Sequence, residues 1–438
     1  MKEIFFYTNH FTERVKYTAE FIIQRLLGLK VTYVSDKTQL TSDQPCINYS
    51  DKILSSKEIF IPAHPLLSQE NITKQKINIK KGGTLPYFFE VPREGSDLPF
   101  DLFSMSFYLL SRYEEYLPFK KDQHGRFSAT QSIAYQSDFL HLPLIDLWVQ
   151  KLKKILENKF PKLEFQKDNY YFQPSYDIDH AWAFKYKGLF RTFGAHGKEL
   201  INLRFGSSYE RLLVQLNRKT DPYDVFAYLN SLHQEFSIHP IYFFLLGDYG
   251  TFDKNISFRK WALQNLINEL QKSYRLGIHP SYQSNIEKQR VVKERLRLEK
   301  IVGESIFRSR QHFLKLEFPN TYRNLIDANI KEDYSMGYAD EIGFRASTAH
   351  DFLWFDLIEN QTTSLRLFPF QVMDVTLKQY KNWTPQEALE QVKSIVDVCR
   401  EVDGCFCTLW HNSSFTSAEG WTGWDKMYES LIQYAMPR

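Results

Sequence analysis

Short apolar runs and amphipathic stretches alternate along this chain, and the alternation changes character near residue 165. In the first part, Glu3–Tyr7 reads as a strand, Thr12–Leu27 as a helix closed by Gly28, and Lys30–Val34 as a second strand. Further apolar runs at Cys46–Tyr49, Ile59–Pro62 and Tyr87–Val91 are separated by Gly, Pro, Asn and Asp. Helices are predicted from about Asp101 to Leu117 and from Leu144 to Phe160, with the cluster Arg112-Tyr-Glu-Glu-Tyr116 as an exposed helix end. Residues 1–165 are therefore expected to form a smaller α/β domain with an open sheet.

Pro161–Asn169 is polar and breaks the periodicity, which places a boundary there. From Tyr170 onward the pattern is strand, then helix, repeated. Tyr176–Asp179 is followed by strand-like runs at Ile241–Gly247, Leu276–His279, Ile306–His312, Asp333–Tyr338, Leu365–Asp374 and Cys405–His411. Such a rhythm predicts a parallel, barrel-like (β/α) domain over residues 166–438. One segment interrupts it. Residues 184–220 carry eight Lys/Arg (Lys185, Lys187, Arg191, Lys198, Arg204, Arg211, Arg218, Lys219) against Glu199 and Glu210, and read as a basic insertion with a solvated helical face, the other reading being a surface for an acidic polymer or a membrane.

Composition narrows the classes. A chain of 438 residues, 43% hydrophobic and 24% charged, has room for two to three domains. A net charge of +3 is too small to argue for nucleic acid as a partner. The aromatic content of 16% is foremost core material, although aromatic clefts also suit sugar rings. The N-terminus reads as a first strand rather than a signal peptide. No apolar run reaches the ~18 residues that a membrane span needs. The cysteines Cys46, Cys399, Cys405 and Cys407 make no CxxC pair and no zinc spacing, and read as buried thiols in a reducing compartment. The expected location is the cytoplasm, with no transmembrane segment.

The candidate chemistry gathers at predicted strand ends: Asp177, Asp179, His279, Arg310, His312, Asp333, Asp374 and His411. Asp177 and Asp179 are two apart, so on a strand they share a face. Like charges that close need a cation or a donor between them. One carboxylate on a metal and one kept as a base is the chemical reading; a strand ending in an Asx turn is the plain one. Histidines with carboxylates suit Zn²⁺ or a similar divalent ion that keeps a position open for water. A free Asp would then remove a proton, and a His would protonate the leaving group.

Tyr176-Asp-Ile-Asp179, Gly277-Ile-His279, Arg308-Ser-Arg310 and Leu409-Trp-His411 resemble, in order, the motifs of the NodB-homology polysaccharide deacetylases. The resemblance covers roughly residues 170–438. It implies a deformed (β/α)₇ barrel that hydrolyses N-acetyl or O-acetyl groups on a carbohydrate substrate with a divalent metal. It further implies Asp177 as general base, Asp179 and His279 as metal ligands, Arg310 (or Arg308) as the residue holding the base, and His411 as the acid. Residues 1–165 look like the extra N-terminal domain found with this barrel in some bacterial members. Where the family places a second metal-binding His four residues after the first, this chain has Gln283. A third protein ligand must then come from elsewhere, with His312 favoured and His180 the alternative. Tyr282, Trp410 and Asp333 are candidate substrate contacts. The expected function is a hydrolase, dependent on a divalent metal such as Zn²⁺, that removes acetyl groups from a carbohydrate or cleaves a related C–N bond in one, in envelope polysaccharide metabolism. The other reading is a barrel that has lost its metal and serves as a glycan-binding or scaffolding protein.

Overall fold

The first strand, β1 (Glu3–Thr8), is the second of four parallel strands completed by β2 (Lys30–Val34), β3 (Cys46–Ser50) and β4 (Ile59–Pro62) in the order β2-β1-β3-β4. The computed structural model describes residues 1–437 except 42–43, 84, 167, 189–191, 193, 195–196, 198–200, 204 and 418–419. Residues are grouped in two compact units. The first comprises 1–171, 336–371 and 395–406; the second comprises 172–335, 372–394 and 407–438.

In the first unit, β3 and β4 are buried along their whole length, as a parallel sheet covered on both faces requires. Thr12 caps the helix Glu13–Ala19 by accepting the Val15 N–H at 3.2 Å. A π-helical turn, Glu20–Leu26, carries the chain on to Gly28 at φ +64°. A Cβ on Gly28 would meet Gln166 Cβ at 2.2 Å, so both the backbone angle and the close approach call for glycine.

The helix expected over Asp101–Leu117 is shorter, Leu102–Leu110, because Arg112 adopts a left-handed conformation (φ +53°) that stops it. Nor is Arg112–Tyr116 an exposed end. Arg112, Tyr113 and Glu115 are buried, and their charges satisfy one another. The Arg112 guanidinium meets Glu115 and Glu114 at 2.8 Å each and donates to the Tyr338 hydroxyl at 2.9 Å. Arg345 closes the network with 2.6 Å to Glu115 and 2.9 Å to the Gly337 carbonyl. Sequence periodicity could not reveal this, because Tyr338 and Arg345, which close the network, lie more than 220 residues away.

The first unit thus extends beyond 1–165. It also holds the antiparallel hairpin Phe352–Asp356/Gln361–Leu367, while Thr348 and Ala349 both donate to Asp146 at 2.7 Å. The single run expected over Leu365–Asp374 is split between this hairpin and Val372–Met373 in the second unit. Pro369 lies between them and has no N–H to give a ladder. Likewise only the start of Tyr87–Val91 is strand: Leu85–Tyr87 pairs with Lys80–Gly82.

The second unit holds, apart from the first residues of two of them (Tyr171, and Cys405 with Phe406), a row of seven strands: β5 (Tyr171–Ile178), β6 (Ile241–Phe244), β7 (Arg275–Ile278), β8 (Arg308–Ser309), β9 (Glu332–Asp333), β10 (Val372–Met373) and β11 (Cys405–His411). Their order is β9-β8-β7-β6-β5-β11-β10. The pairings β5–β6, β6–β7, β7–β8, β8–β9 and β10–β11 are parallel. Among the described residues no pairing joins β9 to β10. The architecture seen is therefore mixed α/β with an open row of parallel strands, rather than a hydrogen-bonded (β/α)₇ barrel. Tyr176 anchors β5: its hydroxyl lies 2.8 Å from His233 Nε2 and 2.6 Å from the Tyr428 hydroxyl.

Within the basic segment, Arg191, Lys198 and Arg204 lie outside the described residues. Phe205–Gln215 is helical. Arg211 in this helix is buried with its guanidinium 4.5 Å from the Phe184 ring centroid, so the run is not a solvated face throughout. No helix among the described residues is long and apolar enough to cross a membrane.

Candidate metal centre

Strand alternation puts Ser175, Asp177 and Asp179 on one face at the end of β5. Arg310, immediately after β8, is fully buried and ties this face together. Its Nη1 lies 3.0 Å from Asp177 Oδ1, its Nη2 donates to Ser175 Oγ at 2.7 Å, and its Nε donates to the Tyr334 carbonyl at 2.9 Å. The guanidinium stacks over Phe243 at 4.5 Å. Asp177 is thereby fixed in one orientation beside a permanent positive charge.

His279 follows β7. Its Nδ1 is 2.5 Å from the Arg310 carbonyl oxygen. A carbonyl only accepts, so Nδ1 carries a proton, and Nε2 is the nitrogen left to face the carboxylates or a cation. That Nε2 faces Asp179 Oδ1 at 3.2 Å and Asp177 Oδ2 at 3.6 Å. His312 repeats the arrangement, with Nδ1 2.8 Å from Asp253 Oδ1 and Nε2 3.6 Å from Asp179 Oδ2. Asp179, His279 and His312 each offer one ligand atom, and these atoms lie within 4.8 Å of one another. Each histidine thus has its far nitrogen held by an oxygen acceptor, the outer contact that orients a metal-binding imidazole.

The donor set fits a cation on its own terms. Asp179 Oδ1 is a buried carboxylate oxygen that faces His279 Nε2 at 3.2 Å without the geometry of a hydrogen bond, an expensive state unless a positive charge meets it. Burial opposes ionisation of Asp179, but the charge on His312 and the contacts from both imidazoles outweigh it and hold the carboxyl well below its ordinary range. His312 is driven the other way. Burial works against its protonated form, yet Asp179 and Asp253 raise its pKa to about 9. Both shifts express one property: the cluster stabilises positive charge at its centre.

A further imidazole completes the site. His411, at the end of β11, places Nδ1 2.9 Å from Asp374 Oδ1. The His411 N–H and the Ser414 hydroxyl both donate to Asp374 Oδ2, at 2.7 and 2.5 Å. Its Nε2 points toward Asp179 Oδ2 at 3.9 Å. Burial disfavours the imidazolium, but Asp374, then Asp179 and Asp177, raise it to about 10.

Asp177, Asp179, His279, Arg310, His312 and His411 therefore come together. Other expected residues do not. Trp410 faces away from His411 by strand alternation and is wholly buried against Tyr428, ring centroids 4.9 Å apart. Asp333 is buried with its carboxylate taken up by Ser309 at 2.8 Å and by the Ser335 N–H and hydroxyl, each at 2.9 Å. Arg308 pairs with Glu332 at 2.8 Å. His180 is not among the converging ligand atoms. Gln283 is exposed, in the short turn Tyr282–Asn285. Tyr282 lies close by, with its N–H donated to Asp253 at 2.8 Å.

The sequence reading missed Asp253 altogether and gave Asp374 no role. Asp374 at least ends a strand-like run. Asp253 sits in an irregular loop, 59 residues from the histidine it orients, and nothing in local pattern marks it.

Residues 4–161 match the model of a family described as "Family of unknown function (DUF7033)". No curated protein matches the chain. Among solved structures, the chain is similar to a putative polysaccharide deacetylase from Mycobacterium smegmatis, at 12% identity over 61% of this chain and 84% of that one, TM-score 0.39. A 4-alpha-glucanotransferase from Thermococcus litoralis overlaps at 10% identity over 61% of this chain and 38% of that one, TM-score 0.36. A polysaccharide deacetylase from Bacillus cereus overlaps at 8% identity over 61% and 85%, TM-score 0.29. All three overlaps are loose, and roles are assigned below from the side chains themselves.

Proposed function

We propose that the second unit is a divalent-metal-dependent hydrolase that removes acetyl groups from a carbohydrate, or cleaves a related C–N bond in one, on a deformed (β/α)₇ scaffold. The observation that carries this reading is the convergence of Asp179, His279 and His312 beside two groups that need not be ligands, Asp177 and His411. Two imidazoles and one carboxylate are a donor set of catalytic zinc, and Zn²⁺ is the ion we assign. Such an ion supplies Lewis acidity toward a carbonyl oxygen when bound.

The chain's own groups divide the remaining work. Asp177 takes a proton from the attacking water, and Arg310 with Ser175 keeps its carboxylate aimed. His411 gives a proton from Nε2 to the departing nitrogen or oxygen. Asp374 accepts the Nδ1–H, which sets the tautomer and supports the imidazolium. We place the reaction in the cytoplasm, where four free thiols stay reduced, and in envelope polysaccharide metabolism.

Acetate release from N-acetylglucosamine oligomers and from O-acetylated xylan by the zinc-loaded full chain tests this. Turnover is expected, and it is expected to vanish on chelation and return with Zn²⁺. A zinc-loaded chain that binds these glycans but releases no acetate would point instead to a glycan-binding protein.

A further inference from the structure

We propose that Phe252, backed by Tyr282 and Phe313, offers a stacking surface for a pyranose ring of an oligosaccharide, immediately beside the metal centre. This rests on the hydrolase reading and adds where the rest of the glycan lies. The three rings come from loops that follow β6, β7 and β8. Phe252 and Tyr282 lie nearly face to face, centroids 4.2 Å apart at 31°. Phe313 stands edge-on to both, at 5.7 Å and 77° from Phe252 and 5.4 Å and 86° from Tyr282.

The cluster is continuous with the site. The Phe313 ring centroid is 4.6 Å from that of His312, which is 5.0 Å from that of His279. One carboxylate fixes both halves: Asp253 accepts from His312 Nδ1 at 2.8 Å and from the Tyr282 N–H at 2.8 Å. The ligand and the ring-bearing loop are thus set by the same group.

Exposure separates this cluster from ordinary core. Phe252 is 41% exposed, and Tyr282 and Phe313 are half-buried, whereas the core aromatics Tyr176 and Phe243 are wholly withdrawn. A pyranose presents an apolar C–H face bordered by hydroxyls. The exposed part of the Phe252 ring matches the face, and the Lys315 ammonium, which lies over the Tyr282 ring at 4.3 Å, offers donors to the border.

The test is calorimetric binding of three unlabelled hexamers to the zinc-loaded full chain: β-1,4-linked N-acetylglucosamine, glucose and xylose. Wild type is compared with Phe252→Ala and Phe313→Ala, and with Trp261→Ala as a control at a 77% exposed aromatic elsewhere in the unit. At least one hexamer is expected to bind, with about tenfold or greater weakening in Phe252→Ala and none in Trp261→Ala. Elemental analysis checks that zinc is retained. Phe252 is exposed enough that its loss leaves folding intact, so a misfolded Phe313→Ala does not decide the matter. Hexamer affinity that neither platform substitution changes overturns the platform, and so does failure of all three hexamers to bind. Zinc-dependent hydrolysis of a small ester such as p-nitrophenyl acetate then reports on the hydrolase reading separately.

Discussion

Arg310 Nη1 and Asp177 Oδ1 stand 3.0 Å apart, with both side chains almost wholly withdrawn from solvent. Removing one partner of a buried pair leaves an uncompensated charge and typically costs about 3–5 kcal/mol. Arg310→Ala should therefore lower unfolding free energy by that order, read by urea denaturation. Arg310→Ala combined with Asp177→Asn should recover part of the loss, because the second change removes the orphaned charge. A double variant no more stable than Arg310→Ala would show that the two do not act as a pair.

The metal ligands make a graded prediction. Asp179→Ala, His279→Ala and His312→Ala should each abolish stoichiometric zinc, because two protein ligands hold the ion too weakly. Asp253→Asn keeps all three ligands but replaces the acceptor of the His312 Nδ1–H, and should weaken zinc by about 10–100-fold. Gln283→Ala should leave zinc binding unchanged, since that side chain is exposed. Equilibrium dialysis with elemental analysis measures all five. Normal zinc in His312→Ala would remove it as the third ligand.

Acid–base work by Asp177 and His411 should show as losses of at least ~10²-fold in turnover for Asp177→Asn and for His411→Ala, with zinc content kept. The pH profile carries a sign. His411 gives up a proton, so activity must fall as pH rises through its pKa, which its carboxylate neighbours lift to about 10. A bound cation at Asp179 pulls that limb lower. Asp374→Asn removes the leading attraction and should shift the limb lower still, toward neutrality. An alkaline limb that does not move in Asp374→Asn would separate His411 from the proton transfer.

How far the sequence reached follows from the range of the forces involved. Asp177, Asp179, His279, Arg310, His312 and His411 were legible because each stands at or just beyond the end of a short apolar run, where alternation fixes facing. Trp410 was misplaced by that same logic: adjacent to His411 along β11, it must point the other way. Asp333 reads as a free strand-end carboxylate until Ser309 and Ser335 are found on it. The buried Arg112 cluster could not be inferred at all, because local periodicity predicts exposure for charges whose partners are distant.

That cluster yields a stability prediction for the first unit. Glu115 takes Arg112 Nε at 2.8 Å and Arg345 Nη2 at 2.6 Å. Burial disfavours its charge, but Arg345 and Arg112 together hold its carboxyl below the ordinary range. Glu115→Ala would leave two buried guanidinium groups facing each other and should cost about 3–5 kcal/mol. Glu115→Leu should be no better, because the repulsion remains. Denaturation followed by tyrosine and tryptophan fluorescence measures both.

The last prediction concerns His233, which stands beneath the site on the packed side of β5. Its Nε2 lies 2.8 Å from the Tyr176 hydroxyl, and its Nδ1 is buried without a partner. Burial, with a smaller contribution from His239, depresses its pKa to about 3. The folded chain therefore refuses a proton that the unfolded chain, with an ordinary histidine near 6.5, accepts. Between those values the unfolded state binds more protons, so stability rises with pH and is lost as pH falls below about 6.5. At pH 4.5 this one group should account for a loss of about 3 kcal/mol relative to pH 7.5. Carboxylates titrate over the same range, so the quantity to read is the difference between wild type and His233→Leu. The variant forgoes the hydrogen bond to Tyr176 and should be the less stable of the two at pH 7.5. Its disadvantage should shrink or reverse by pH 4.5. Parallel stability–pH curves for the two proteins would show that His233 takes up its proton as readily folded as unfolded.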